Sequence, residues 1–181
     1  VNIPAGVCGF CGHVSFVGQA AEVKGLKTNP NSMAYTTYVI EIRLPEAPSS
    51  HGWVMTQTPD YSWSRAIVAW DARMGYLGIT PGGLVPGDVD YMFGKPEINK
   101  WMTLTAVYGV QCVLYVNKVA SSYQSCNNGA GSNAAESLII GGGVVNDVRR
   151  RRITGHNPDK LDVRQVRVYD KALNPAEVQE V

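Results

Sequence analysis

Residues 101–118 read WMTLTAVYGVQCVLYVNK, and this stretch decides the fold. On both sides of Tyr108 and Gly109, apolar side chains such as Leu104 and Leu114 recur at every second position. Alternation of this kind among β-branched and aromatic residues predicts two strands. Gly109 offers the backbone freedom of a tight reversal, so the segment is a predicted β-hairpin. Each strand can bury one whole face, and we expect the hairpin at the centre of a two-sheet core.

The composition indicates a globular, β-rich chain. It has 181 residues, of which 45% are hydrophobic and 17% charged, with 19 Gly and 10 Pro to form turns. No repeat or linker divides it, which predicts a single domain over residues 1–181. The net charge of +1 gives no general affinity for nucleic acid or an anionic membrane, so neither partner is expected. No apolar run approaches the roughly 20 residues of a membrane span.

The rest of the chain predicts many strands and one helix. β-prone segments occupy residues 36–44, 53–58, 65–71, 76–79, 137–140 and 161–169. Near the end, Asn174 is a predicted N-cap, with Pro175 in the first turn and Glu177 placed for a capping box. Many short strands without βαβ alternation predict an all-β, antiparallel sandwich or barrel with one short C-terminal helix.

Three separated segments resemble one family. WMTLTAVY with LYVNK, then LIIGGG, then VRVYDKALNPAEV resemble the laminin-G-like modules of the concanavalin A-like lectin/glucanase superfamily, and HVSFVGQAAEVKG is similar to their first strand. The resemblance implies a jelly-roll sandwich of two antiparallel sheets, with rim loops that often bind sugars or proteins and sometimes calcium. One position departs from the family. Arg164 stands five residues before Tyr169, where the family usually has an acid, and Asp162 is displaced from that position.

Catalysis is not expected. Glycoside hydrolases need two carboxylates that flank one bond, and the E-x-D-x-E spacing typical of this superfamily is absent: Glu41 and Glu46 lack an intervening Asp. The three histidines are scattered, and no G-x-S-x-G elbow is present. An atypical hydrolase remains an alternative.

Asp88 and Asp90 are the candidate calcium ligands. They lie close together in the glycine-rich loop PGDVDY, where carboxylates and carbonyls can supply the hard oxygens that Ca²⁺ requires. The alternative is a solvated turn.

Tyr61 and Trp63 are candidate ligand-binding aromatics in the loop TPDYSWS. Rings displayed on a loop can stack on a sugar or anchor a protein partner. The alternative is a lid that folds back onto the core. Three other tryptophans fall in predicted strands and are expected in the core: Trp53, Trp70 and Trp101.

An arginine run is the sharpest local charge feature. With Lys160, Arg164 and Arg167 it predicts a patch for an anionic polymer such as a sulfated glycan. A solvated loop or a processing site is the alternative. The candidate ligand-binding arginines are Arg149, Arg150, Arg151, Arg152 and Arg164.

The four cysteines are compatible with two disulfides: Cys112 with Cys126, and Cys8 with Cys11 in the CGFC turn. Free thiols or half of a zinc site remain alternatives for CGFC. The sequence therefore predicts a non-catalytic recognition module of an extracellular or surface protein that binds carbohydrate or a protein partner. A structural interaction domain without a glycan ligand is the alternative.

Overall fold

The computed structural model describes residues 12–17, 20–24, 35–50, 52–58, 65–72, 75–79, 91–93, 96–121, 124–125, 137–147, 150–154 and 160–181. These ranges form β-strands and one helix. In chain order they are β1 (Val14–Phe16), β2 (Ala21–Lys24), β3 (Thr36–Arg43), β4 (Gly52–Thr58), β5 (Arg65–Asp71), β6 (Tyr76–Ile79), β7 (Tyr91–Phe93), β8 (Trp101–Tyr108), β9 (Gln111–Val116), β10 (Val119–Ala120), β11 (Gln124–Ser125), β12 (Ser137–Ile140), β13 (Gly143–Asp147), β14 (Arg150–Thr154), β15 (Leu161–Tyr169) and α1 (Pro175–Glu180).

The strands form two large antiparallel sheets. The larger has the order β1-β15-β3-β8-β9-β10, with β11 also paired to β9, and the smaller has the order β2-β12-β4-β5-β6-β7. β13 and β14 form a separate two-stranded ribbon. The predicted all-β, two-sheet jelly-roll sandwich with one short C-terminal helix is confirmed. No helix in the described part of the chain is long and apolar enough to cross a membrane.

The core lies between the sheets, and the predicted hairpin is at its centre. β8 pairs with β3 on one side and with β9 on the other, so that Leu104 lies opposite both Ile40 and Val116. Alternate residues of these strands, including Leu104, Ile40 and Leu114, are fully buried against Met55 and other residues of the smaller sheet. Because side chains alternate across a strand, the intervening residues of β3, β8 and β15 belong to the outer face.

Gly109 has a different role from the one predicted. Its backbone does not adopt a positive φ, so the β8–β9 turn does not need glycine for its dihedral angles. A Cβ atom built on Gly109 would lie 3.1 Å from the Cβ of Ala172, which is tighter than ordinary van der Waals contact. Glycine is therefore favoured here because the chain after β15 packs closely against the turn.

The helix α1 begins with the predicted capping box. The Asn174 side chain accepts a hydrogen bond from the Glu177 backbone N–H, and the Glu177 carboxylate accepts one from the Asn174 N–H, both at 2.9 Å. The Lys171 ammonium, followed by that Asn174 N–H, lowers the pKa of Glu177 below its ordinary value. Because the folded-state pKa is the lower one, this stabilisation is present above the unfolded-state pKa and is lost as the pH falls through the folded-state pKa.

The helix covers one end of the larger sheet's outer face. Leu173 and Val178 pack there with Val107, Val113 and Tyr115 in a second apolar cluster. Complete burial of an aliphatic side chain such as Val178 contributes about 1.5–3 kcal/mol. The opposite end of this outer face carries polar and charged residues instead.

Candidate functional site

The pairing register brings three outward-facing residues side by side. Arg43 pairs with Asp162 on β15 and with Trp101 on β8, while the next residues along, such as Ile42 and Met102, face the core. We call the group around them the arginine–tryptophan cluster. It comprises His13, Ser15, Glu41, Arg43, Trp101, Asp162 and Arg164.

Asp162 anchors this cluster. Its Oδ2 accepts hydrogen bonds from Arg43 Nε at 2.9 Å and Arg43 Nη2 at 2.7 Å, and its Oδ1 accepts one from Ser15 Oγ at 2.5 Å. His13 Nε2 lies 3.9 Å from Oδ1. The Asp162 side chain is only 6% exposed, and a carboxylate this buried is stabilised when charged donors satisfy it. It therefore holds β1, β3 and β15 together at this end of the sheet.

A β-bulge positions Arg164. The register between β15 and β3 shifts between Val163 and Gln165, which pair with the consecutive residues Ile42 and Glu41. Arg164 is thus the extra residue, and bulges commonly re-aim a side chain. Its Nη1 donates to Glu41 Oε1 at 3.3 Å, and its side chain is 42% exposed. The bulge therefore places a cation where strand pairing is interrupted.

Trp101 lies between charged and aromatic neighbours. The guanidinium carbon of Arg164 lies over its ring, 3.9 Å from the centroid, and that of Arg43 lies 5.3 Å away. The His13 ring contacts it edge-on at 5.5 Å between centroids. Trp101 is part-buried on the outer face, so its prediction as a core residue is wrong; Trp53 and Trp70 are buried as predicted.

Most of the other predicted site residues lie outside the described residues. That applies to Tyr61, Trp63, Asp88, Asp90, Cys8, Cys11, Cys126 and Arg149. Their predicted roles stay predictions. Within the described ranges, no group of three or more His, Cys, Asp or Glu side chains could hold a metal ion.

Three residues of the arginine run lie in a strand, whereas the sequence predicts a loop. Arg150, Arg151 and Arg152 belong to β14, where the register places Arg150 opposite Asp147 and Arg151 opposite Asn146. Two of the basic residues expected to assist them are paired with acids, since Lys160 contacts Glu46 at 3.2 Å and Arg164 contacts Glu41. Arg167 donates to Gln165 instead. These ion pairs reduce the positive charge available for a polyanion.

Cys112 is buried at the start of β9 and is disulfide-bonded. β11 pairs with β9 so that Ser125 lies opposite Gln111. The predicted partner, Cys126, lies outside the described residues, so the pairing itself stays a prediction.

Sequence reasoning missed Glu41, Arg43 and Trp101 as parts of one site. Alternation puts Glu41 and Arg43 on one face of their strand, whereas Trp101 was expected in the core, and nothing in the sequence shows that β15, β3 and β8 are neighbours in this register. Without that register, the three residues had no common location.

The chain is similar in fold to several solved structures. No family model matches it, and no curated protein matches it either. A Trypanosoma rangeli sialidase in complex with sialic acid is similar with a TM-score of 0.58 and 14% identity, over 91% of this chain and 28% of that one. A mutant of the same sialidase that displays trans-sialidase activity gives 0.58 and 16%, over 81% and 22%.

A point mutant of HCR/D is also similar, with a TM-score of 0.63 and 14% identity, over 93% of this chain and 41% of that one. The chain thus spans between about a fifth and two fifths of the length of these proteins. At these identities the likeness shows a shared fold alone, which is a β-sandwich.

Proposed function

We propose that this chain is a non-catalytic recognition module of an extracellular or cell-surface protein, with carbohydrate as its ligand. The observation that carries the proposal is the arginine–tryptophan cluster on the outer face of the larger sheet. There a part-buried indole lies beside two arginines and two carboxylates, with exposed surface on Arg43, Glu41 and Arg164. An apolar ring next to hydrogen-bonding polar groups suits the mixed surface of a sugar.

The fold is consistent with this function. The laminin-G-like resemblance implies a sugar- or protein-binding sandwich, and the structural neighbours include a sialidase solved with sialic acid. Fold likeness alone does not assign a ligand, so the weight of the proposal rests on the cluster.

A recognition role also fits the carboxylates and the disulfide. Asp162 and Glu41 are each paired with an arginine, as partners that hold its guanidinium group, rather than with each other as an acid and base pair. The disulfide at Cys112 suits an oxidising compartment. We include Tyr61 and Trp63 as additional ligand contacts in the proposal, and Asp88 and Asp90 as the calcium ligands.

A glycan array, probed with and without calcium, tests the proposal. We expect retention on a defined subset of glycans, and loss of that retention in Trp101→Ala while the melting temperature stays close to that of the wild type. A fall in retention on chelation, reproduced by Asp90→Ala, supports the calcium site. Retention no greater than that of an unrelated β-sandwich of equal charge would contradict a carbohydrate-binding function and favour a structural interaction domain.

A further inference from the structure

We infer that Arg43 and Arg164, held over Trp101, form a subsite for the acidic group of a sugar, a carboxylate or a sulfate ester. This inference rests on the proposed function and specifies its ligand. Its residues are different from the arginines of β14.

Both arginines have N–H donors that bind no other described residue. Arg43 directs Nε and Nη2 to Asp162, which leaves Nη1 without a hydrogen bond in the part of the chain that the structure describes. Arg164 directs Nη1 to Glu41, which in the same described part leaves Nε and Nη2. The two side chains are 30% and 42% exposed, so a ligand can reach these donors. Guanidinium N–H groups match the oxygens of a carboxylate or sulfate and bind them by charge-assisted hydrogen bonds.

Trp101 limits the freedom of these donors. A guanidinium group over an indole is held by cation–π attraction, and both groups lie over the same ring. Arg43 is also held from the other side of its guanidinium group, because it donates two hydrogen bonds to Asp162, which is itself buried. Less side-chain entropy is therefore lost when an anion binds.

Glu41 is the group that competes with an incoming anion for Arg164. Its contact with Arg164 is long, at 3.3 Å, and the side chains are 30% and 42% exposed. Exposed pairs of this kind contribute little stability. The Arg43–Asp162 pair is shorter and more buried, so it remains in place. Arg164, on its bulge, is thus the exchangeable arginine, which moves its hydrogen bond from Glu41 to the ligand.

The same carboxylates favour a sugar over an acidic peptide. Glu41 and Asp162 would repel a ligand with several negative charges close together. An acidic sugar has one anion for the arginines and several hydroxyls, which can donate to Glu41 and to the neighbouring Gln165. The subsite offers donors and acceptors within one small area, and a sugar with a single acidic group uses both.

The test compares matched glycans and matched variants on the same array, with hexaglutamate peptide as an additional probe. Each acidic oligosaccharide is paired with a neutral one that lacks only its carboxylate or sulfate. We expect the wild type to prefer the acidic member, Arg164→Ala to weaken that binding by about tenfold or more, and Glu41→Gln to strengthen it. Lys100→Ala is the control: it removes one exposed positive charge next to Trp101 in sequence, but Lys100 pairs with Glu97.

Each outcome is decisive when the melting temperatures show that the variants fold. Equal binding to acidic and neutral members, or unchanged binding in Arg164→Ala, overturns the acidic subsite but leaves the proposed carbohydrate function standing. An equal loss in Lys100→Ala reduces the effect to net charge and also overturns it. Binding to hexaglutamate without binding to any glycan overturns both. Binding to no glycan and no peptide overturns the inference together with the proposed function.

Discussion

Asp162→Ala is expected to lower the free energy of unfolding by about 2–3 kcal/mol, because it removes the acceptor that satisfies a half-buried arginine. In the folded protein, Arg43 donates two hydrogen bonds to this carboxylate and Ser15 donates a third. Without it, the Arg43 guanidinium remains partly desolvated over Trp101 with no counter-ion. Asp162→Asn retains the shape and some of the hydrogen bonds, so a smaller loss is expected.

Urea unfolding measures both changes, with Glu97→Ala as the control. Glu97 also pairs with a basic residue, Lys100, but both side chains are more than half exposed. Exposed pairs contribute between about 0 and 1 kcal/mol. If Asp162→Ala and Glu97→Ala cost the same, the cluster is a solvated surface and Asp162 does not anchor three strands.

Leu104→Ala is expected to lower the free energy of unfolding by about 3–4 kcal/mol. Leu104 is fully buried in β8, with paired strands on both sides and the smaller sheet across the core. Two hydrogen-bonded neighbours prevent the backbone from moving in to fill the cavity, so the cost should lie in the upper part of the range for such substitutions.

Equilibrium unfolding in urea, with an unchanged m-value, is the measurement for this variant. Ile98→Ala is the control, since Ile98 is a similar side chain that lies three residues before β8 and is 38% exposed. A cost for Leu104→Ala no larger than that for Ile98→Ala would contradict the assignment of β8 to the centre of the sandwich.

The strands that the sequence predicts well are runs of four or more apolar or β-prone residues between turn-forming segments. β15, β5 and β12 have the predicted limits, and the hairpin of β8 and β9 is confirmed. The capping box at Asn174 is also confirmed, because helix-start signals depend on neighbouring residues alone. Short elements such as β7 and β10 were missed, since two or three residues are too few to show a period.

The site was less predictable because it depends on contacts between distant parts of the chain. Arg164 was singled out from the family pattern, but its bulge and its contact with Trp101 arise from the pairing of β15 with β3 and β8. The sequence predicts a loop for the arginine run because four consecutive arginines show no alternation of apolar and polar side chains. Pairing with β13 nonetheless places Arg150, Arg151 and Arg152 in a strand. The local sequence pattern does not show which strands pair with each other.

The two ends of the larger sheet's outer face carry different side chains, and we therefore expect a ligand to bind at only one of them. At one end, α1 and Leu173 supply apolar cover from within the chain. At the other end, the positions on β3, β8 and β15 are occupied by Arg43, Trp101 and Asp162. Arg43 donates to Asp162 and lies over Trp101, and its remaining N–H donor is one of those that we propose bind the ligand. The same alternation that builds the core thus determines which side chains are available for recognition.

A nuclear magnetic resonance titration with the glycan that the array retains best tests whether the ligand binds at the arginine–tryptophan cluster. We expect the indole N–H resonance of Trp101 and the side-chain resonances of Arg43 and Arg164 to shift in a saturable manner, while those of Leu173 and Val178 beside the helix stay unchanged. Saturable shifts confined to residues outside the arginine–tryptophan cluster would contradict this expectation.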